Sequence, residues 1–377
     1  MSIEVSLAPI DDLSSLGQAW RDLEQRAEAS FFQSWSWIGT WIALLPAELR
    51  PEVLAARRDG QVVGLCSLGR RTTWRHRFIV SHGLFLNQTG DPSLDVITIE
   101  HNGILADRRW APEVVQRMLE HLVGEVRGWD ELFLSGVRAD ETPLAHGRLA
   151  AACGLAIAPY ETTPSRFVDL AALSRSGRDY LELLGSNTRY QIRRSQRRYE
   201  ARGPLGLARA EGVPDALSAF GEMKALHQAY WTRRGQPGSF ASPFFEAFHS
   251  ALIERCVPTG EVELVRVAAG DQTIGVLYNF TWRGNVCNYQ SGFAYEADNA
   301  IKPGFVAHAL AVSHYLAEGA ATYDFLAVDS QYKSSLATDA VTLAWLAARR
   351  PRVKYAIEEG LRRLKHRLAR PRSPAPG

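Results

Sequence analysis

Apolar residues recur in this chain at two spacings, about every 3.6 residues in some stretches and every second residue in others, which separates helices from strands. Ile3–Leu7 alternates as a short strand, and Leu16, Trp20, Leu23 and Ala27 recur at helical spacing across 13–29. Trp35, Ile38, Trp41 and Ile42 mark a second helix that ends near Pro46. Val53–Arg57 and Val62–Leu68 flank Asp59-Gly60, which predicts a hairpin with a tight left-handed turn. Strands are expected near 78–80 and 96–99, a helix over 112–126, a strand over 131–135, a helix over 146–152 and an extended stretch at 156–158.

A similar order then returns at larger scale. A strand at 167–169 and a short helix at 176–184 lead into a long basic helix over 187–202, capped by Ser186 and closed by Gly203-Pro204. After a strand at 205–210 and helices over 213–234 and 244–256, three strands (262–267, 273–282, 286–293) are joined by short turns as an antiparallel meander. A helix over 305–318, a strand at 322–326 and a late strand at 341–346 complete the pattern. Each half thus runs helices, meander, then strand–helix–strand crossover. That order predicts an α/β (α+β) protein with mixed, mostly antiparallel sheets flanked by helices. The expected division is 1–160, 161–348 and a tail, 349–377, with the first boundary at Pro159–Pro164.

Composition narrows the partners. A chain of 377 residues, 46% hydrophobic and 22% charged, is sized for two globular domains. A formal charge of +2 gives no general affinity for nucleic acid, so no DNA partner is expected and any basic site must be local. Cys66, Cys153, Cys256 and Cys287 lie far apart without CxxC spacing, so neither a zinc ribbon nor a disulfide framework is expected, and no metal site. The N-terminus lacks a basic start followed by an apolar run, and no stretch reaches the ~18 apolar residues of a membrane span. The expected location is the cytoplasm.

Three segments carry candidate chemistry. On the basic helix, Arg189, Arg193 and Arg197 share one face at i, i+4 and i+8, with Arg194, Arg198 and Arg202 in the next row. They form either a solvated face or a cradle for phosphates. On the strand 286–293, alternation places Cys287, Tyr289, Ser291 and Phe293 on one side, with Asn288 and Gln290 opposite. Tyr289 and Ser291 would bind a polar substrate or bond within a half-polar core. Next comes Lys302-Pro303-Gly304-Phe305, a helix start whose glycine lets a ligand approach free N–H groups. The third segment, Tyr323 to Lys333, puts Asp329, Tyr332 and Lys333 just beyond a strand end, where ligands bind in open α/β sheets. A carboxylate there could take a proton from an attacking amine, and Tyr332 or Lys333 could supply one to a leaving group. A salt-bridged turn is the plainer alternative, and His227, His308 and His314 read as structural.

The Arg-rich helix, the Tyr289-Gln290-Ser291-Gly292 strand, the Pro303-Gly304 helix start and the Tyr323–Lys333 segment together resemble the BioF2-like/CelD branch of the GNAT superfamily, related to the FemAB-type aminoacyl transferases. The resemblance spans about 165–345, and Phe31–Trp37 resembles the opening of the same two-lobed proteins. It implies tandem GNAT-like domains and an N-acyltransferase using acetyl-CoA on an amino sugar of a bacterial exopolysaccharide, holdfast-like polymers included, or on its precursor. Asp329 would then act as base or substrate anchor and Tyr332 or Lys333 as acid or anchor. Arg189, Arg193, Tyr289 and Ser291 would contact substrate, and Lys302, Gly304 and Phe305 the cofactor. The chain departs from the family in carrying Ala327-Val328 before the loop acid and in lacking the usual Q/R-x-x-G-x-G/A pyrophosphate loop. Two rivals remain: an aminoacyl transferase fed by aminoacyl-tRNA, against which the near-neutral charge argues, and a degenerate GNAT acting as a regulatory protein. The tail bears on the second. Its basic residues between Arg349 and Arg372, with an apolar stripe through Tyr355, Ile357, Leu361, Leu364 and Leu368, suit an anionic membrane surface, a cyclic dinucleotide or simple packing.

Overall fold

The computed structural model describes residues 2–75, 79–142, 154–327 and 331–358. The expected helix at 146–152, the acid Asp329 and most of the tail lie outside them. One sheet runs through the molecule. The strands β1 (Ile3–Ala8), β2 (Glu52–Arg58), β3 (Gln61–Arg75) and β4 (Ile79–Leu86) form an antiparallel meander. Its β2–β3 hairpin turns at Asp59 and Gly60, both at positive φ (51° and 78°), as the Asp-Gly pair predicts. The short β5 (Leu105–Ala106) pairs with β3 away from the main path. Next to β4, in parallel, lies β6 (Glu131–Arg138), reached through the helix α3 (Ala111–Gly124).

The second half repeats this plan. The strands β8 (Leu205–Arg209), β9 (Val262–Ala269), β10 (Gln272–Trp282) and β11 (Asn285–Phe293) form the meander, and β12 (Thr322–Asp324) lies parallel to β11. Between the two meanders stand the long strands β7 (Ala156–Asp169) and β13 (Asp339–Arg349), paired antiparallel from Phe167 with Asp339 to Ala156 with Arg349. On its other side β13 pairs with β6, and β7 pairs with β12. The order is therefore β1-β2-β3-β4-β6-β13-β7-β12-β11-β10-β9-β8. Pro159–Pro164, expected as a boundary, falls in the middle of β7, and β13, the last described strand, extends the sheet of the first half by pairing with β6.

Helices cover the sheet. In the first half these are α1 (Leu13–Arg26), capped by Asp12 on the N–H groups of Ser14 and Ser15, and α2 (Trp35–Leu44), capped by Ser34. In the second half α4 (Leu170–Ser176) and α5 (Tyr180–Leu183) replace the expected helix at 176–184, because Gly177 in the left-handed region ends the first of them. Next come α6 (Ser186–Glu200), α7 (Gly212–Thr232), α8 (Pro243–Cys256), α9 (Pro303–Ala317) and α10 (Gln331–Leu336). Ser186 lies inside α6 rather than capping it.

The segment Phe31–Trp37 joins the halves. Phe31 stacks on Phe280 of β10 with ring centroids 4.4 Å apart, and Trp37 meets Phe248 of α8 edge to face at 4.8 Å. Trp20, Phe31, Phe32, Trp37, Phe248 and Phe280 belong to one buried cluster drawn from both halves. At about 1.5–3 kcal/mol for each such side chain buried, this contact fixes the halves against each other. Cys66, Cys256 and Cys287 are unpaired. Among the described residues no helix is long and apolar enough to cross a membrane, and no cluster of three His, Cys, Asp or Glu could hold a metal ion.

Candidate active site

The parallel strands β11 and β12 pair over only three residues, ending at Cys287 with Asp324, and then diverge. A cleft of about 460 Å³ opens in the gap. One wall is β11, where the expected strict alternation fails. Between Tyr278 and Asn279 the β10 register shifts, so Asn288 and Gln290 find partners while Tyr289 is the extra residue of a bulge. Residues 288, 289, 290 and 291 therefore all line the cleft, rather than alternate ones. Local bonds hold them in place. Asn288 Nδ2 donates to Asn279 Oδ1 at 2.8 Å, and Ser291 Oγ donates to Asn288 Oδ1 at 2.9 Å. Burial, together with the nearby Glu100 carboxylate, pushes the Tyr289 phenol well above its usual range, so it stays a neutral donor.

The opposite wall comes from the first half. The expected strand at 96–99 is absent; this segment leaves a turn and a bend at Val96 and Ile97 and has no ladder partner. Its alternation is nonetheless real, since Ile97 and Ile99 enter the core while Val96, Thr98 and Glu100 face the cleft. Glu100 is buried, and its Oε2 accepts the Ala327 N–H at 2.6 Å. Burial raises the carboxyl above the ordinary glutamate value, against the pull of that N–H and of Lys333.

Lys333, on α10, completes the floor. Its ammonium donates to the carbonyls of Phe325 and Leu326. Burial lowers its pKa, while Glu100 and Asp324 oppose the shift. The acid has thus been pushed up and the amine down, each toward neutrality, as suits groups that exchange protons with a substrate near neutral pH.

The loop that brings them together is held from behind. Asp324 at the end of β12 accepts the Leu326 N–H at 2.7 Å and the Ser165 hydroxyl at 2.9 Å, and His101 Nε2 lies 3.0 Å from its other oxygen. Burial pulls the His101 imidazole down, but its bond to Asp324 and the charges of Asp324 and Glu100 outweigh this and raise it. Leu326 and His101 both adopt positive φ, 60° and 47°. Such a conformation costs a non-glycine residue about 1–3 kcal/mol. Here the strain turns Glu100 to the front of the sheet and His101 to the back, and presents the Ala327 N–H to the carboxylate.

Of the residues expected from sequence, Tyr289, Ser291, Tyr332 and Lys333 come together in the cleft. Gly304 and Phe305 adjoin it: Phe305 stacks on Tyr332 at 5.0 Å, and a Cβ on Gly304 would lie 2.5 Å from the Tyr332 hydroxyl. That hydroxyl is buried and bonds to no other group among the described residues. Lys302 occupies the cap position of α9, where its backbone N–H donates to Ser195 Oγ of α6 at 3.1 Å. Arg189 and Arg193 do not line the cleft. The neighbouring row is engaged elsewhere, Arg198 with Asp298 and Arg202 in a two-pronged bond to Glu296. His308, expected to be structural, does line the cleft; burial lowers it to about 3, so it is neutral, with Nδ1 2.9 Å from the Tyr323 hydroxyl.

Residues 186–334 match the acetyltransferase (GNAT) domain family. This part of the chain is a GNAT domain. The match ends one residue past Lys333, so it takes in β8–β12 and the loop from β12 to α10. Among solved structures the fold is similar to FemX, with a TM-score of 0.59 and 11% identity over 87% of this chain and 95% of that one. It is similar too to the C-terminal domain of a putative lysylphosphatidylglycerol synthetase from Agrobacterium fabrum (0.54, 13%, 92% and 95%) and to L-PGS from Bacillus licheniformis (0.54, 10%, 89% and 92%). At these identities the likeness is one of fold, and it extends beyond the GNAT domain to the first half. No curated protein matches in sequence. The chain is an acyltransferase of the GNAT type, and Glu100, from outside the GNAT domain, reaches into its cleft.

Proposed function

We propose that the protein transfers an acetyl group from acetyl-CoA to the amine of an amino sugar, in a bacterial exopolysaccharide or its precursor. The observation that carries this reading is the Glu100–Lys333 floor beneath the β11 bulge. Glu100 takes the proton from the attacking ammonium, and the freed amine adds to the thioester carbonyl. Backbone N–H groups at the Tyr289 bulge receive the developing oxyanion. The Tyr332 hydroxyl, kept protonated by burial, gives its proton to the departing thiolate and regains one from the acceptor nitrogen as the amide forms, while Glu100 returns its proton to solvent. Asp329, outside the described residues, serves as an anchor for the acceptor. Lys302 and the free N–H groups at the start of α9, an uncapped helix end beside Gly304, are the proposed hold on the donor's phosphates.

Acetyl-CoA is expected to raise the unfolding temperature of the purified protein, and glucosamine with acetyl-CoA to release free thiol. Absence of both responses would remove the reading. Gly304→Ala tests the donor side separately. Its new Cβ meets the Tyr332 hydroxyl at 2.5 Å, so the ring must shift into the donor's path. Acetyl-CoA affinity is expected to fall about tenfold, or roughly 1.4 kcal/mol, in a titration; unchanged affinity would place the donor elsewhere.

A second reading has its own observation. Arg189, Arg193 and Arg197 have no ion-pair partner among the described residues, leaving a basic stripe on α6 that fits the backbone of an aminoacyl-tRNA donor. Charged tRNA binding that weakens steeply with salt would favour this donor over acetyl-CoA. Either donor is cytoplasmic. The basic segment after residue 358 is a proposed contact for an anionic membrane surface or a cyclic dinucleotide.

A further inference from the structure

The mouth of the cleft is aromatic. Tyr230 and Trp231 end α7, and Tyr295 follows β11; all three line the opening. Tyr230 is engaged on its faces, with the Arg234 guanidinium 4.4 Å from its centroid and Tyr295 at 4.8 Å. Trp231 meets Tyr230 nearly edge-on, at 87° and 5.4 Å. Trp231, 37% exposed, and Tyr295, 42% exposed, keep open surface, Tyr295 on the side turned away from Tyr230. The three rings touch one another, with Trp231 nearly perpendicular to Tyr230, so at the cleft they form one continuous rim rather than scattered surface residues.

Polar groups border the rim on its inner side. His227 holds its Nδ1 3.1 Å from Gln228 Oε1, and its ring is neutral because burial lowers it. Ser239 and Gln290 lie below, joined by a 3.4 Å bond from Gln290 Nε2 to the Ser239 hydroxyl. An open aromatic face flanked by neutral donors and acceptors matches one ligand chemistry in particular. A pyranose presents a face of axial C–H groups to an aromatic ring and a rim of hydroxyls to neutral hydrogen-bonding side chains. A lipid chain would leave those polar partners unmatched.

We infer that Trp231 and Tyr295 form a sugar subsite at the mouth of the cleft, which holds the glycan unit next to the one whose amine reaches Glu100. The acceptor is then an oligosaccharide, and monosaccharides leave the subsite empty. This inference rests on the amino-sugar reading of the cleft, and it adds that recognition extends over at least two units.

Binding of glucosamine and of β-1,4-linked glucosamine trimer to the full-length protein, followed by saturation-transfer NMR without any donor, tests it. The trimer is expected to bind about tenfold more tightly than the monomer, a gain of roughly 1.4 kcal/mol. Trp231→Ala is expected to reduce that preference to about twofold, and Trp231→Phe, which keeps a ring, to preserve most of it. A trimer preference unchanged in Trp231→Ala, or absent from the unaltered protein, would overturn the subsite. So would displacement of the trimer by adenosine 3′,5′-bisphosphate, because the rim would then hold the nucleotide end of the donor. Because sugar binding is read without donor, the two proposals separate. A Trp231-dependent trimer preference with no acetyl transfer overturns acetyl transfer alone, and transfer without that preference overturns the subsite alone.

Discussion

Glu100→Gln is expected to lower kcat about 10²–10⁴-fold, the usual contribution of a general base, with the cleft otherwise intact. Glutamine keeps the shape and can still accept the Ala327 N–H that Glu100 accepts at 2.6 Å, so the loop from β12 to α10 should hold. What disappears is the site for the acceptor's proton. The pH profile of the unaltered protein carries a second signature. Burial raises the Glu100 carboxyl, and the working form is the carboxylate. Activity should therefore fall as pH drops through that raised value, with the acid limb above the ordinary glutamate pKa of about 4.3. Lys333 restrains this shift through its charge, so Lys333→Met should move the acid limb to still higher pH. A Glu100→Gln protein with turnover within a factor of two of the unaltered protein would sink the assignment, and Asp329 would become the first alternative base.

The second large effect concerns stability. Glu131, at the start of β6, is fully buried, and its carboxylate accepts from Arg349 Nε of β13 at 2.7 Å and from Arg75 Nη1 of β3 at 3.2 Å. The Ser81 hydroxyl donates to it as well. Glu131→Ala removes the acceptor and leaves two guanidinium groups facing each other in a partly buried site. Breaking a buried pair from one side costs about 3–5 kcal/mol, so urea unfolding should show a loss of that order. Arg75 keeps its bond to Glu358, which softens the loss on its side. Removing Arg349 together with Glu131 should therefore be less damaging than the two single losses summed. A loss under about 1 kcal/mol would mean that water reaches the cluster and that the network does not bind the strands together.

The elements were legible where one period ran without interruption. The hairpin at Asp59-Gly60, the meander of β9–β11 and the helix after Pro303 follow directly from spacing and turn residues. The site was legible in half. Tyr289, Ser291, Tyr332 and Lys333 belong to local patterns in the second half, and they do meet. Glu100 does not belong to any such pattern, because its partners stand more than 200 residues away, and a buried carboxylate cannot be told from a surface one by its neighbours in sequence. A signal was nevertheless present. The alternation Val96, Thr98 continues to Glu100, and such alternation does not require a ladder partner. It requires only a surface with two different sides, here core behind and cleft in front. The β11 bulge escaped for the opposite reason. The alternation looks regular in sequence, and the extra residue shows only in the register against β10. His308 was hidden by its helix, since periodicity assigns a side chain to the buried face without saying that the face borders a cleft.

The central strand pair has a consequence for how the protein is made. Arg349 pairs with Glu131 across 218 positions of chain. During synthesis the first meander emerges with the open flank of β6 waiting for a strand whose Arg349 follows Glu131 by 218 positions. Such distant pairing slows folding, and an unpaired strand flank is a template for wrong partners in the meantime. The nascent chain must therefore be shielded, or its early half must stay loose, until residue 349 is out. A fragment ending near residue 160 should accordingly aggregate rather than fold. The two halves repeat one plan, yet the sheet of the first is completed by a strand that follows the second.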